Sequence, residues 1–246
     1  ADGEYIAAGS YDGKVYLFDK DSSTPLWSYT TEHYVRSVAI SADGEYIAAG
    51  AGAVPPGSSQ ETLYLFDKDS STPLWNYTTG ERVRTVSISA DGEYIAAGSD
   101  DNKVYISDKD TGPVIDFDLG GDVLSVAISA DGEYIAAGGF NDQKVYLFDK
   151  DSSTPLWSYT TGDDVYSVAI SADGEYIAAG SADGKVYLFD KDSSTPLWSY
   201  ITGDDVYSVA ISADGEYIVA GNGHWDENSC KIYLFDKDSS TPLWNY

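Results

Sequence analysis

Two histidines, one cysteine and a large excess of carboxylates are the groups in this chain that can do chemistry, and their placement limits what that chemistry is. His33 and His224 lie far apart, and neither has a serine or cysteine nucleophile in a recognisable flanking motif, so nucleophilic catalysis has no support. The carboxylates recur at the same place about every forty residues, whereas acid–base catalysis needs one pair whose pKa values are pushed apart. No enzyme activity is expected. Asp19-Lys20-Asp21-Ser22-Ser23 and its copies space oxygen atoms at every second residue, as a calcium loop does, but lack the glycine and distal glutamate of an EF-hand. They read as turns, and no metal or cofactor is expected. Cys230 stands alone, which excludes an internal disulfide and a thiolate metal cluster.

The recurrence of the acidic motifs leads to the elements that carry them. The string ADGEYI begins at Ala1, Ala42, Ala90, Ala130, Ala172 and Ala213. The one long interval contains an insertion around Val54, Pro55, Pro56 and Gly57. Each period holds four short β-prone runs, for example VYSVAIS (165–171), EYIAAGS (175–181), KVYLFDK (185–191) and TPLWSY (195–200), separated by Asp-Gly, Gly-Asp and Ser/Thr/Pro clusters. That is strand–turn–strand patterning without helical periodicity. Four antiparallel strands per forty residues is one propeller blade. The second, third and fourth runs occur six times and the first run five times. The expected fold is all-β, a six-bladed propeller of four-stranded antiparallel blades in which one blade lacks its inner strand, forming a single domain over 1–246. About twelve residues would be needed to keep the register from Tyr246 to Ala1, and no initiator methionine or signal peptide is present, so a chain cut from a longer repeat protein is expected.

The stretch SVAISADGEYIAAGSADGKVYLFD (167–190) resembles the WD40 repeat, with Phe189-Asp190 standing where that family has Trp-Asp. DGKVYLFDKDSSTPLWSYITG (183–203) is equally similar to the repeat of pyrroloquinoline-quinone-type propellers, in which an Asp is followed eight residues later by a docking Trp, as Asp190 and Trp198 are here. The chain departs from WD40 in having Gly203-Asp204 in place of Gly-His, and from the quinoproteins in blade count. Quinone-dependent oxidation is the activity the second resemblance would imply, and a lone Cys230 cannot supply the adjacent cysteine pair such enzymes often carry.

Positions that serve the scaffold should be the same in every copy, and positions that serve one ligand should differ. By the WD40 resemblance, the loops between second and third strands and between blades share one face, and most differences fall there. They are Tyr11, the insertion at 51–62, His224, Trp225, Asp226 and Glu227, the set Glu32, His33 and Tyr34, and Glu81 with Arg82. The second residue of the inner strand also varies, reading Arg36, Arg84, Leu124, Tyr166 and Tyr207. Arg and Tyr are the side chains that anchor interfaces. Arg36 and Arg84 are read as a positive spot for an anionic group, or as ion-pair partners of Glu32 and Glu81. The outer-strand change to Ile115 is read as drift in a buried strand.

The expected function is a non-catalytic binding scaffold that holds a protein, peptide or glycan. The alternative is a structural unit of a cell-surface assembly, completed by strand addition and self-association. Forty-one acidic against fourteen basic residues give a net charge of −27, which repels nucleic acid and anionic lipid. No apolar run approaches the roughly twenty residues of a membrane-spanning helix. The sequon Asn76-Tyr77-Thr78 is a glycan acceptor if the protein is exported. Together with the acidic charge and the scarcity of cysteine, it points to an extracellular or cell-surface location.

Overall fold

The computed structural model describes residues 3–53, 61–223 and 230–246, so His224, Trp225, Asp226 and Glu227 and residues 54–60 of the insertion at 51–62 lie outside the described residues. Among the described residues there is no helix, and the strands form six antiparallel sheets. Blade 1 has three strands, Tyr5–Ser10, Lys14–Asp19 and Trp27–Thr30. The other five have four strands each. Blade 2 is Val35–Ile40, Tyr46–Ala51, Thr62–Asp67 and Trp75–Thr78. Blade 3 is Val83–Ile88, Tyr94–Ser99, Lys103–Asp108 and Gly112–Asp118. Blade 4 is Val123–Ile128, Tyr134–Gly139, Lys144–Asp149 and Trp157–Thr160. Blade 5 is Val165–Ile170, Tyr176–Ser181, Lys185–Asp190 and Trp198–Ile201, and blade 6 is Val206–Ile211, Tyr217–Asn222, Lys231–Asp236 and Trp244–Asn245. The all-β propeller repeat, the blade boundaries and the missing first strand are as the sequence predicts. The chain forms two compact units, Ala1–Val123 and Leu124–Tyr246.

Within each unit, contacts of three kinds recur between successive blades. The first is an aromatic latch. Trp27 donates its indole N–H to the carbonyl of Lys68 at 2.7 Å and lies 5.4 Å from the Phe66 ring, and Trp198 repeats this with Lys237 at 2.7 Å and Phe235 at 5.2 Å. The second is a backbone bond between turns, from Ala42 N to Ala90 O at 2.9 Å in one unit and from Ala172 N to Ala213 O at 3.0 Å in the other. The third is apolar burial. Val15 and Leu17 of blade 1 pack with Ile47, Ala49 and Phe66 of blade 2, and Val186 and Leu188 of blade 5 pack with Ile218, Ala220 and Phe235 of blade 6. Because both faces of a middle strand are covered, its sequence is a run of Ile, Ala and Gly and not an alternation of apolar with polar. The small residues set how closely two blades approach: a Cβ on Gly180 would lie 2.6 Å from Val206 Cγ1.

The recurrent carboxylates serve turns. Asp173 Oδ1 accepts bonds from Ser171 Oγ at 2.6 Å and the Glu175 amide at 3.1 Å, and Gly174 follows with φ of +74°. In the Asp-Lys-Asp segments, Asp190 Oδ1 accepts the Asp192 amide at 2.9 Å. Blade 3 departs from the pattern. Its third and fourth strands shift register between Ile106 and Ser107, and Ile115 is half-buried, alternating with exposed Val114 and Asp116.

A second set of side-chain bonds braces the hairpins between second and third strands. Tyr105 donates to Asp101 Oδ2 at 2.6 Å, and Tyr187 donates to Asp183. The same aspartates accept the amides of Gly80 at 2.7 Å and Gly162 at 3.0 Å. Burial, then the bond to the carboxylate, pushes both phenols above their ordinary value of 10.0. A raised folded-state pKa gives stability that is complete below the unfolded value and is lost as pH rises. The expected result is a urea midpoint that falls as the pH is raised past about 10. Tyr187→Phe should make the fall shallower, and an unchanged slope would show that this phenol does not contribute.

Candidate functional site

The residues that vary between copies occupy a backbone feature that repeats. In blades 2, 3, 5 and 6 the first and second strands slip register at one place, between Val35 and Ser37, Val83 and Thr85, Val165 and Ser167, and Val206 and Ser208. The skipped residues are Arg36, Arg84, Tyr166 and Tyr207. Each sits at a β-bulge, which takes one residue out of the ladder and re-aims its side chain. The scaffold therefore presents a free choice of side chain at one fixed place in each of these four blades.

In the first unit the bulge of blade 2 meets the loops that precede it. Tyr11, on the blade 1 hairpin, and Tyr34, on the link to blade 2, have ring centroids 5.2 Å apart at 47°. The Arg36 guanidinium lies 5.8 Å from the Tyr11 centroid. Both tyrosines are exposed, while Arg36 Nε is buried without a hydrogen-bond partner among the described residues. The link is anchored by Thr31 Oγ1, which donates to Gly13 O at 2.9 Å and to His33 O at 2.5 Å, and by the Gly52 amide, which donates to Tyr34 O at 3.0 Å. Glu32 is exposed on this link and lines, with Tyr29, Tyr64 and Asn76, a cavity of about 430 Å³. Asn76 is itself exposed on the outer strand of blade 2.

Arg84 is placed differently. Its Nε and that of Arg82 both bond the carboxylate of Asp100, whose side chain is 3% exposed, and Arg84 Nη2 lies 3.7 Å from Asp122 Oδ2. Burial, then the nearby Asp100 charge, raises the Asp122 carboxyl above the usual carboxylate range. The expected partner Glu81 instead offers its backbone carbonyl to Thr79 Oγ1 and Ser99 Oγ. The second blade of the expected positive spot is thus two arginines against two aspartates. Arg82, Asp100 and Asp122 were missed as a group by sequence reasoning. The available signal was that the only blade with two arginines on its first strand and link also carries the extra Asp in Ser99-Asp100-Asp101.

In the second unit the bulges of adjacent blades carry Tyr166 and Tyr207, which stack at 5.1 Å and 13°. The Tyr207 hydroxyl donates to Asp205 Oδ2 at 3.4 Å. Burial, then the Asp205 charge, raises both phenols. A Cβ built on Gly223 would lie 3.2 Å from Cys230 Sγ and 3.7 Å from the Tyr207 ring, so the free thiol borders the same surface. A second cavity of about 320 Å³ lies beside Asp183, Asp204 and Asp205.

Repeated four-stranded blades joined by a docking tryptophan define a pyrroloquinoline-quinone-type β-propeller repeat protein. The family model described as outer membrane protein assembly factor BamB matches residues 1–118, 59–216 and 141–246. The chain belongs to that family. Of the two resemblances in the sequence, the one carried by Asp190 and Trp198 names the matching family. No curated protein matches the sequence. Among the described residues no helix is long and apolar enough to cross a membrane.

Proposed function

We propose that the protein is a non-catalytic recognition scaffold that holds a protein, peptide or glycan through the bulge residues and the loops beside them. The carrying observation is that one bulge recurs in four blades and displays the residue that the copies do not share. Tyr11, Tyr34 and Arg36 form the centre of this reading, because two exposed rings and a guanidinium with an unused donor offer stacking and a charged hydrogen bond together. Tyr166 and Tyr207 give the second unit an aromatic pair at the same position. An extracellular or cell-envelope setting is supported by the family description, which names an outer-membrane assembly factor, and by the exposed sequon at Asn76.

The test is a peptide and glycan array probed with the wild type and with Arg36→Tyr/Tyr11→Ala. Loss of two interface anchors should weaken a captured ligand by roughly tenfold or more, with little change in melting temperature. Undiminished capture would place recognition elsewhere.

A second reading, a structural unit of a surface assembly, is favoured by blade 1. Among the described residues no strand pairs with the inner edge of Tyr5–Ser10, and Ile6 is 53% exposed where its counterparts Ile47 and Ile95 are at 0%. An open edge of this kind accepts an added strand.

A further inference from the structure

We infer that the cavity between the outer strand of blade 1 and the two outer strands of blade 2 binds a primary ammonium group, such as a lysine side chain on a partner peptide. Its walls include Tyr29 of blade 1, Glu32 of the link, and Thr62, Tyr64, Asn76 and Thr78 of blade 2, around about 430 Å³. All of these belong to one compact unit. None is a bulge residue, so this site stands or falls separately from the recognition surface proposed above.

The other copies show what occupies this place. At the first residue of the third strand, blades 3, 4 and 5 carry Lys103, Lys144 and Lys185. The Lys185 ammonium lies 5.8 Å over the Tyr187 ring and 3.2 Å from Asp183 Oδ2, and Lys144 lies 6.0 Å over Tyr146. At that range a ring face attracts a cation. Lys103 bonds the carboxylate of Asp116 on the neighbouring strand. Blade 2 keeps the tyrosine as Tyr64 and has Thr62 where the lysine would be. Thr62 bonds the phenol but brings no charge. Asn76 stands opposite Tyr64 as Asp116 stands opposite Tyr105, so an acceptor oxygen is retained at the position that receives Lys103.

The carboxylate has changed place as well. In blades 3 and 5 the hairpin aspartate accepts the amide of the link glycine, and a Cβ on Gly80 or Gly162 would lie 2.9 or 2.8 Å from Asp101 or Asp183 Oδ2. A side chain on the link would crowd that aspartate. In blade 2 the link residue is Glu32, and the sequence has Gln60 where the aspartate would be. The negative charge has passed from the hairpin to the link, where it lines the cavity. Burial pushes the Tyr64 phenol above its ordinary value, the bond to Thr62 opposes this, and the Tyr29 and Glu32 charges add to it, which sets Glu32 near the phenol. A tyrosine, a carboxylate and an amide oxygen without their lysine form a socket for an ammonium from outside. The net charge of −27 draws cations toward it.

The experiment titrates the protein with butylammonium and with a capped Gly-Lys-Gly peptide, following backbone amide shifts by NMR. Protein made without carbohydrate on Asn76 is used, because a glycan there would cap the cavity. Both ligands should shift the amides of Thr62 and Thr78, and the same peptide acetylated on the lysine Nε should not. Tighter binding of the peptide identifies a lysine side chain as the occupant, whereas equal binding identifies a free amine, and either outcome supports the socket. Thr62→Lys restores the residue of the sister blades and should weaken binding by roughly tenfold or more, as should Glu32→Gly. Ser153→Lys adds the same charge as Thr62→Lys on an exposed turn of blade 4 and should leave binding unchanged. Both site variants carry residues found at these positions in other copies, and circular dichroism melts confirm that they fold. Equal affinity for the free and the acetylated lysine peptide overturns the inference. Binding that survives both site variants overturns it too, as does binding that falls equally in Ser153→Lys, which would mark general attraction to an acidic protein. No shift with either ligand at millimolar concentration leaves the cavity without this role.

Discussion

Trp198→Ala is expected to destabilise the protein by roughly 3 to 5 kcal/mol, the range for emptying a large aromatic site in a packed interior. Two losses combine at this residue. The indole N–H bond to the Lys237 carbonyl, 2.7 Å long, disappears and leaves that acceptor to find water. The ring also leaves Phe235, 5.2 Å away, which keeps Tyr200 at 5.2 Å and Tyr233 at 6.1 Å. Phe235 is fully buried, so removing the tryptophan opens a void beside a side chain that cannot relax outward. Trp244→Ala is the internal control, the same substitution in the same repeat position but at a ring 49% exposed with no following blade in its unit. It should cost no more than about 0.5 kcal/mol, the ordinary limit for a surface change. Urea midpoints of the two variants, compared at low protein concentration, decide the matter. Equal losses would show that the tryptophan acts within its own blade and not as a latch to the next.

The latch was legible in the sequence because it is a spacing. Asp190 and Trp198 stand eight residues apart in a repeat whose strands are marked by Val, Ile and Tyr and whose turns are marked by Asp-Gly, so blade boundaries follow from the string itself. Blade 3 shows the limit of that reading. Ser107 replaces the buried phenylalanine and Ile115 the tryptophan, the segment from Asp110 to Pro113 is one residue shorter than in the other copies, and the ladder shifts register between Ile106 and Ser107. Composition could mark the change but not where the ladder absorbs it. The bulges were illegible for the same reason. A bulge is a property of two paired strands, and nothing in Val35-Arg36-Ser37 alone says that Arg36 lacks a partner across the sheet. Sequence comparison between copies found the variable position, and register explains why variation is tolerated there. Tyr11 and Tyr34 were named as candidates from separate loops, and their contact depends on the fixed path of the link held by Thr31.

Arg36 and Arg84 read alike in the sequence and differ in their surroundings, so their substitutions should separate. Tyrosine occupies this position in blades 5 and 6, which makes Arg36→Tyr and Arg84→Tyr compatible with the bulge. Arg36 Nε has no hydrogen-bond partner among the described residues, and its change should alter stability by about 0.5 kcal/mol or less. Arg84 holds one oxygen of Asp100, and Arg82 holds the other. Losing Arg84 alone should cost roughly 1 to 3 kcal/mol, the usual penalty when a buried charged acceptor loses one donor. Losing both, in Arg82→Ala/Arg84→Tyr, strands a carboxylate whose side chain is 3% exposed. That should cost roughly 3 to 5 kcal/mol, the range for a broken buried ion pair. The double loss should exceed either single one, because either arginine alone still neutralises Asp100 while their joint removal leaves the charge bare. Chemical denaturation of Arg36→Tyr, Arg84→Tyr, Arg82→Ala and the double variant supplies the comparison. If the double variant is as stable as wild type, Asp100 can turn to solvent, the two arginines are free to meet an anion, and the positive spot expected from the sequence would then extend across blades 2 and 3.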